Sequence, residues 1–379
     1  MLNNNTSALG LIFPNTYDAI VPELTNVRLM ASIPFASRYR LVDFMLSSMA
    51  GSDITNISLL VKNNYLSLMH HLGSGREWDL VRKNGGLQLF PPNSERTSTV
   101  YTGRVSAIAG ILDYLRSQKE KYVVMADTNI AANFDFKAMI AAHIESGADV
   151  TCAYKEQEIP AGYLDMRNEK GFYYTYVIDN GRIENIKVNV KDEGVFNLGM
   201  NIFVVERELL IDIINTAFVR GLRYWERDVL LNQLKTLKVC GYKFEGYCAR
   251  ITDMKSYFNE NMKLLDDANL DGLFDGISIN TKIRDDNPTR YIAGAKVVNT
   301  MAADGCTIEG TVENSVLFRG VKVGKGAVVK NCILMQDTVV EAGANVEYLI
   351  TDKNVKITAG KEVKGTDTYP MYIAKFHTV

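Results

Sequence analysis

The sequence has no run of apolar residues that approaches the roughly 20 needed to span a bilayer. Its first ten residues, MLNNNTSALG, lack the basic and apolar regions of a secretory signal. It has 42 basic and 44 acidic side chains and a formal net charge of −2, so no excess positive charge favours nucleic acid or an anionic membrane surface. We therefore expect a cytoplasmic protein that binds neither nucleic acid nor membrane.

Cysteine and histidine are also scarce, with five and four residues in a chain of 379. The cysteines show no C-x-x-C spacing, so they indicate neither a zinc site nor a redox pair. We expect free, mostly buried thiols at Cys152, Cys240, Cys248, Cys306 and Cys332. His70 and His71 are adjacent, and adjacent residues do not share one helix face, so we assign them no role.

Glycine, lysine and arginine are absent from residues 11–25, which read LIFPNTYDAIVPELT. A backbone loop that binds a triphosphate needs glycines, which let amides approach the phosphates, and usually a cation. This stretch offers Asp18 and Glu23 instead. If the chain has a nucleotide-handling fold, we expect that fold to have lost its phosphate-binding loop.

Up to about residue 150, short apolar runs alternate with helical periods, which is the pattern of βαβ units around a largely parallel sheet. The spacing of Ile108, Ile111, Leu112 and Leu115 predicts one helix over residues 106–118. The other predicted elements are strands at 54–61, 122–127 and 148–154, and a helix that begins at Phe136 and ends at Gly147. Ligands bind beyond the carboxyl ends of such strands, so Asp127 lies where chemistry would occur.

The last ninety or so residues change to short β-branched runs broken by glycine. Val328, Leu334, Val340 and Val346 recur every six residues, which predicts a hexapeptide β-helix. An antiparallel β-sandwich with coincidental spacing is the alternative. Because the sequence before this region is polar and rich in turn residues, we predict domains at 1–265 and 291–379 joined by a linker at 266–290.

Several motifs occur together in a fixed order: PFASRYRLVDFMLSS from residue 34, GSGREWDL from residue 73 and LQLFPP from residue 87. Together with Asp127 and the terminal repeats, they make the chain resemble the ADP-glucose pyrophosphorylase family over nearly its whole length. The resemblance implies an α/β, Rossmann-like nucleotidyltransferase domain with a mostly parallel sheet, followed by a left-handed β-helix. It also implies a tetrameric family that couples ATP and glucose 1-phosphate to give ADP-glucose and pyrophosphate.

The resemblance also implies that the catalytic groups of the family are missing here. Ile20 stands at the position of the catalytic arginine, Met30 and Asn189 at those of two lysines, and Arg250 at that of the second metal-binding acid. Asp127 is vestigial and is the one remaining metal candidate. Its alternative role is a structural acid satisfied by nearby amides or by Arg250.

Two other motifs of the family are intact. Arg38 and Arg40 belong to the segment that lines the effector site in the family, with a structural ion pair to Asp43 as the alternative role. A remnant of the nucleotide site is expected in the loop that contains Gly73, Ser74, Gly75, Trp78 and Asp79, although a tryptophan such as Trp78 more often serves packing.

From these residues we expect a catalytically silent regulatory subunit of the GlgD type, which needs no cofactor itself and tunes a catalytic, Mg²⁺-dependent partner in a hetero-tetramer. We also expect small-molecule effectors, and a homo-oligomer when the chain is expressed alone. One alternative is an active transferase with displaced ligands, namely Asp253 and a lysine such as Lys62 or Lys155. A sensor of sugar phosphates or nucleotides is another, and a hexapeptide acyltransferase is disfavoured because no histidine lies within the repeats to act as a base.

Overall fold

A nine-stranded sheet forms the centre of the N-terminal part of the chain. The computed structural model describes residues 7–91, 103–164 and 172–379, so Pro92 of the LQLFPP motif lies outside the described residues. The strands of this part are β1 (Ala8–Phe13), β2 (Pro34–Phe35), β3 (Tyr39–Arg40), β4 (Asn56–Leu60), β5 (Gly86–Phe90), β6 (Tyr122–Asp127), β7 (Ile130–Ala132), β8 (Val150–Glu158), β9 (Tyr174–Asp179), β10 (Arg182–Val188), β11 (Val195–Glu206), β12 (Val239–Lys243) and β13 (Cys248–Arg250).

The helices lie between these strands. They are α1 (Pro22–Thr25), α2 (Leu41–Gly51), α3 (Leu66–Leu72), α4 (Arg104–Ala109), α5 (Leu112–Ser117), α6 (Phe136–Ser146), α7 (Ala161–Leu164), α8 (Arg207–Val219), α9 (Leu231–Gln233), α10 (Met254–Lys263) and α11 (Asp267–Phe274). A π-helical turn covers Trp225–Leu230. None of the helices within the described ranges is both long and apolar enough to cross a membrane.

The strand order of the sheet is β5-β4-β1-β6-β11-β8-β12-β10-β9. Strands β5, β4, β1 and β6 pair in parallel, and β11 runs antiparallel to both β6 and β8. Because β1 and β6 are parallel neighbours, Phe13 and Asp127 pair at the same edge of the sheet. The predicted α/β fold with a parallel sheet is confirmed, and this shared carboxyl edge positions the site described below.

Strand β1 is buried on both faces of the sheet. Leu9, Leu11 and Phe13 belong to the apolar core on one side, whereas Ala8 and Ile12 belong to the core on the other side. This alternation follows from the two-residue period of side chains along a strand. Helices α4, α5 and α8 therefore cover one face, and α2, α6 and α10 cover the other.

Of the two predicted helices, one is interrupted in the structure and the other is confirmed. The prediction of one helix over residues 106–118 is wrong, because α4 ends at Ala109 and Ile111 adopts a non-helical φ of −124° and ψ of 19° before α5 begins. The helix that starts at Phe136 is confirmed. Gly147 closes it in the left-handed conformation, with a φ of 58° that glycine adopts without steric cost.

The C-terminal part is a parallel β-helix. Its strands are β14 (Arg290–Tyr291), β15 (Lys296–Ala302), β16 (Thr307–Ile308), β17 (Thr311–Leu317), β18 (Lys322–Val323), β19 (Val328–Lys330), β20 (Ile333–Leu334), β21 (Val339–Val340), β22 (Asn345–Glu347), β23 (Leu349–Thr351), β24 (Lys356–Ile357), β25 (Glu362–Lys364) and β26 (Met371–Ile373). Every strand pairing between residues 290 and 373 is parallel, which excludes the antiparallel β-sandwich and is consistent with the predicted left-handed β-helix.

The register of the repeat differs from the predicted one at a single position. Leu334, Val340 and Val346 lie in the core of the β-helix as predicted, but Val328 is only half-buried. Its neighbour Val329 is completely buried in its place. Adjacent strand residues point to opposite faces, so the inward position of β19 is one residue later than a strict six-residue spacing predicts.

The two parts share an apolar core. Phe258 of α10 packs against Tyr348 of the β-helix, with ring centroids 6.3 Å apart. The segment predicted as a linker, 266–290, begins with α11, whose Leu273 is fully buried. The connection between the two parts is therefore packed against the protein at its start.

Candidate functional site

A cavity of about 650 Å³ opens beside residues 15–21 at the carboxyl edge of the sheet. Two amides of this loop donate within it: that of Ile20 to the carbonyl of Tyr17 over 3.2 Å, and that of Asp18 to the carbonyl of Asn15 over 3.5 Å. None of residues 15–21 has a positive φ. The loop therefore lacks the alternating backbone that makes an anion-binding nest.

A buried arginine lies at the floor of this cavity. The side chain of Arg104 donates from one terminal nitrogen to Asp127 and from the other to Glu226. The second oxygen of Asp127 accepts a hydrogen bond from Thr16 Oγ1 at 3.0 Å. Both carboxylate oxygens of Asp127 are thus engaged, and its ionic partner is Arg104 rather than Arg250.

Local structure fixes Arg104 and its second partner, Glu226, in place. Gly103 precedes Arg104 with a φ of 107°, and a Cβ there would lie 2.4 Å from the carbonyl oxygen of Arg223, so only glycine lets α4 begin so close to that backbone. Glu226 belongs to the π-helical turn. Its neighbour Trp225 is completely buried and anchors that turn.

Aromatic rings lie near the Arg104 guanidinium as well. The guanidinium carbon is 5.5 Å from the ring centroid of Phe13 and 5.4 Å from that of Phe203. Burial alone would lower the pKa of Arg104, but the charges of Asp127 and Glu226 outweigh burial and hold that pKa above its ordinary value. Burial raises the pKa of Asp127 to about 6, against the opposing effect of Arg104.

The wall of the cavity carries one acid and one lysine that interact. Burial raises the pKa of Asp18 to about 7, although the amide of Met30 donates to its carboxylate over 2.7 Å and Lys62 attracts its charge. Ile20 and Met30, which the resemblance places where the family has an arginine and a lysine, are both buried in the apolar core. The cavity is therefore lined by balanced charges, which favours no polyanion.

The other two residues that the resemblance singled out, Arg250 and Asn189, are bonded to other parts of the protein. Arg250 is buried, donates to the carbonyl of Gly199 over 3.0 Å and lies 6.0 Å from the ring centroid of Tyr163. Asn189 accepts a hydrogen bond from the amide of Tyr173 over 3.0 Å. The rings of Tyr163 and Tyr173 are stacked at 4.7 Å, so side chains of the protein itself fill this region.

The residues at this edge of the sheet do not fit a magnesium ion. Mg²⁺ requires oxygen ligands in near-octahedral geometry at about 2.0–2.1 Å. The oxygens of Asp127 are already engaged by Thr16 and Arg104, and the cation Arg250 stands where the resemblance implies a second acid. Within residues 7–91, 103–164 and 172–379, no group of three or more His, Cys, Asp or Glu side chains is arranged to hold a metal.

Two of the three proposed substitutes, Asp253 and Lys155, do not line the first cavity. The carboxylate of Asp253 caps α10 by accepting from the amide of Ser256 over 2.6 Å. Lys155 donates to the carbonyl of Gly246 over 2.6 Å on the surface. Of the three, Lys62 alone lines the cavity.

A second cavity, of about 370 Å³, lies between the N-terminal part and the β-helix. Six basic side chains line it, namely Arg38, Arg40, Lys282, Arg284, Arg319 and Lys353, and no acidic side chain does. Arg38 reaches Asp304 only at 3.9 Å. This concentration of cations suits an anion that carries several charges, such as a phosphorylated metabolite.

Arg40 faces this cavity because its neighbours hold the start of α2. The backbone amide of Arg40 donates to Asp43 over 2.9 Å, whereas its side chain donates to the carbonyl of Ser67 over 2.8 Å. The carboxylate of Asp43 is bonded instead to His71 and to Thr281, each at 2.6 Å. His71 therefore has a structural role that the sequence did not reveal.

Burial and neighbouring cations lower the pKa values of two basic side chains in this cavity. Burial, together with the nearby charges of Arg40 and Arg28, lowers the pKa of Lys353 to about 7. Burial also lowers the pKa of Arg40 to about 10. An anion in the cavity would relieve both effects, because it favours the charged forms.

The GSGREW loop lines neither of these two cavities. Trp78 is buried, and its indole nitrogen donates to Ser47 Oγ over 3.2 Å. Gly75 has a φ of 79°, and a Cβ there would meet the side chain of Leu87 at 2.9 Å. Gly73 caps α3, and the intervening Ser74 is exposed. Asp79 pairs with Arg82 at the surface.

Sequence reasoning missed four of the charged residues that line the two cavities. Arg104 and Glu226 are separated by 122 residues, so no spacing could join them, although a glycine before a helical arginine was a local signal. Arg319 and Lys353 lie on separate coils of the β-helix and are brought to Arg40 only by the docking of the two parts.

Comparisons with known proteins agree with this architecture. The nucleotidyl transferase family matches residues 21–255, and the GlmU-like, C-terminal hexapeptide family matches residues 282–370. The chain is 32% identical to glycogen biosynthesis protein GlgD of Bacillus subtilis (strain 168) over 372 residues, which cover 98% of this chain and 96% of that protein.

Two further relatives show the same range of similarity. GlgD of Geobacillus stearothermophilus is 37% identical over 331 residues, covering 86% of this chain and 83% of that protein. Glucose-1-phosphate adenylyltransferase of the same organism is 32% identical over 306 residues, covering 79% of this chain and 77% of that enzyme.

The fold and these matches define a nucleotidyltransferase-like domain joined to a hexapeptide β-helix. The chain belongs to the family of GlgD proteins and glucose-1-phosphate adenylyltransferases. The resemblance stated from the sequence is thereby confirmed.

Proposed function

We propose that this chain acts in glycogen biosynthesis as a catalytically silent regulatory subunit of glucose-1-phosphate adenylyltransferase in the cytoplasm. The observation that carries the proposal is the engagement of Asp127 by Arg104 and Thr16, beside a loop in which the amides of Asp18 and Ile20 donate to carbonyls of the same loop. Nucleotidyl transfer depends on positioned cations at the phosphates. Here Arg104 is paired with Asp127 and Glu226, and Lys62 interacts electrostatically with Asp18.

The regulatory part of the proposal rests on the second cavity. Six basic side chains converge where the N-terminal part meets the β-helix, so an anionic effector bound there would contact both parts at once. Such a ligand shifts a conformational equilibrium only if it binds one state better than the other. Contacts with both parts give it that differential affinity.

The partner we propose is a catalytic glucose-1-phosphate adenylyltransferase subunit, which supplies the Mg²⁺ site and forms a hetero-tetramer with this chain. Alone, the chain forms a homo-oligomer. The names of the relatives support the pathway, since GlgD proteins and adenylyltransferases occur together among them. Subunit contacts would transmit the effector response without chemistry in this chain.

Mixing the chain with a purified catalytic subunit tests this proposal. ADP-glucose formation is followed at fixed catalytic subunit while this chain is titrated in, with and without a phosphorylated effector. We expect the rate or its effector dependence to change and to saturate at a fixed subunit ratio. A rate that stays constant through the titration, with no complex on size-exclusion chromatography, contradicts it.

A neutral substitution in the second cavity tests the effector site, and a neutral substitution outside it is the matched control. Arg319→Gln should weaken the effector response of the mixture while the complex still assembles. Lys235→Gln removes an exposed lysine outside both cavities and should leave the response unchanged. Effector binding by this chain in the absence of any influence on the catalytic subunit would favour the sensor alternative instead.

A further inference from the structure

We propose that the guanidinium of Arg104 takes the place of a divalent cation in this chain. It joins the carboxylates of Asp127 and Glu226 and keeps metal ions out of the floor of the first cavity. The inference goes beyond the regulatory role and does not depend on it, because it concerns how the chain itself handles cations.

Arg104 lies between two carboxylates, as a metal ion with two carboxylate ligands would. One terminal nitrogen bonds to Asp127 and the other to Glu226, from positions 23 and 122 residues away in the sequence. The side chains of Arg104, Asp127 and Glu226 are 7%, 1% and 1% exposed. Two buried carboxylates that converge in this way require a positive charge between them.

The surroundings select a guanidinium rather than a metal. The rings of Phe13 and Phe203 lie within 5.5 Å of the guanidinium carbon, and aromatic rings attract an organic cation but offer no oxygen ligands. A magnesium ion keeps several waters and an octahedral shell. A planar, weakly hydrated guanidinium needs neither.

The position of this group explains why Asp127 is retained although the second acid is replaced by Arg250. The carboxylate balances Arg104 and, through Thr16, holds the end of β1 next to the end of β6. The cavity floor therefore keeps one geometry at any magnesium concentration. The chain has exchanged a dissociable cation for a covalently attached one.

Removal of the guanidinium should reveal the cation site beneath it. In Arg104→Ala, two buried carboxylates lose their counter-charge, so we expect a Mn²⁺ site, measured by electron paramagnetic resonance on the full chain. The variant should bind Mn²⁺ at least about tenfold more tightly than the wild-type chain does, because two charged carboxylates then contact the ion. Methylguanidinium should compete with the bound Mn²⁺.

Three controls decide the interpretation. Arg104→Ala combined with Asp127→Asn should lose the Mn²⁺ site, and Arg104→Lys, which keeps the charge, should not gain it. Arg116→Ala removes an arginine from an exposed ion pair with Asp113 and should bind no Mn²⁺. A folded Arg104→Ala protein without a Mn²⁺ site, or with a site that survives in the double variant, overturns the proposal.

A measurement on the wild-type chain keeps the test independent of the folding of any Arg104 variant. The melting temperature is recorded with a chelator and with millimolar Mn²⁺, since a ligand that binds the folded state raises it. We expect no difference. A rise of several degrees that disappears in Asp127→Asn would place a metal at this acid and contradict the proposal.

Discussion

Arg28 of the N-terminal part donates to both carboxylate oxygens of Asp352 in the β-helix, each over 2.7 Å, with both side chains almost completely buried. Asp352 is the neighbour of Lys353 in the basic cavity, and Arg28 lies two residues after Asn26, which lines the other cavity. One ion pair thus joins the segments that carry both cavities.

We predict that Asp352→Asn lowers the free energy of unfolding by about 3 kcal/mol, because it leaves the buried charge of Arg28 without a counter-ion. Urea denaturation of the full chain measures this loss. Asp113→Asn, which breaks an exposed ion pair with Arg116, is the control and should change stability by less than about 0.5 kcal/mol. Equal losses in the two variants would contradict the assignment.

The acid of the first cavity should make stability depend on pH. The pKa of Asp18 is raised from 3.8 to about 7 by burial, so the folded state holds its proton more tightly than the unfolded state. Ionisation of Asp18 therefore lowers the free energy of unfolding of the wild type as pH rises from about 4 to 7. We predict that Asp18→Asn is more stable than wild type by about 2 kcal/mol at pH 8, a gain that vanishes below about pH 4.

Urea titrations at pH 4, 6 and 8 measure this difference. Glu23→Gln provides the control, since Glu23 lies in the same region but is exposed. Its stability difference from wild type should stay small at all three values. A gain for Asp18→Asn that is independent of pH would show that the charge of Asp18 is not the cause.

Lys353 should respond to pH in the opposite sense. Its pKa is lowered from 10.5 to about 7 by burial and neighbouring cations, so its charge costs stability below about pH 7 and that cost disappears above about pH 10.5. We predict that Lys353→Gln melts higher than wild type at pH 6 in an anion-free buffer. The difference should shrink as pH rises above 7.

Inorganic phosphate provides the second readout for the same variant. Phosphate at about 10 mM should raise the melting temperature of wild type more than that of Lys353→Gln, because a bound anion favours the charged lysine. Lys361→Gln alters an exposed lysine of the same β-helix and should behave as wild type. Identical phosphate shifts in all three proteins would argue against an anion site.

The coils of the β-helix leave no space at Gly310. A Cβ at this position would lie 2.3 Å from the carbonyl oxygen of Ala327 on the next coil. We predict that Gly310→Ala costs roughly 1–3 kcal/mol, as overpacking usually does. Gly110→Ala, where the nearest atom is 3.4 Å from the new Cβ, should be close to neutral. Thermal unfolding of both variants distinguishes them.

Local patterns predicted much of the fold. The run YVVMAD is strand β6 from its first residue to its last, and the helix closed by Gly147 ends where predicted, since each depends on residues adjacent in sequence. Val328 was placed one residue out of register, because periodicity alone does not show which face of a strand points inward.

The candidate site could be predicted only as a set of losses. The resemblance identified Ile20, Met30, Asn189 and Arg250 as differing from the family. It did not predict the contacts that the structure shows around Asp127. The bond between Arg104 and Glu226 depends on two distant segments meeting at one sheet edge, and the basic cavity depends on the docking of the β-helix. Tertiary contacts of this kind leave no mark on local spacing.

The central claim is that this chain does not turn over ATP and glucose 1-phosphate by itself. The most direct test is the initial rate of ADP-glucose formation by the purified chain with saturating substrates and Mg²⁺, beside the same concentration of a catalytic glucose-1-phosphate adenylyltransferase. The account predicts a rate at least about 10⁴-fold below that of the catalytic enzyme. A rate within tenfold of the catalytic enzyme, abolished by Asp127→Asn, would contradict it.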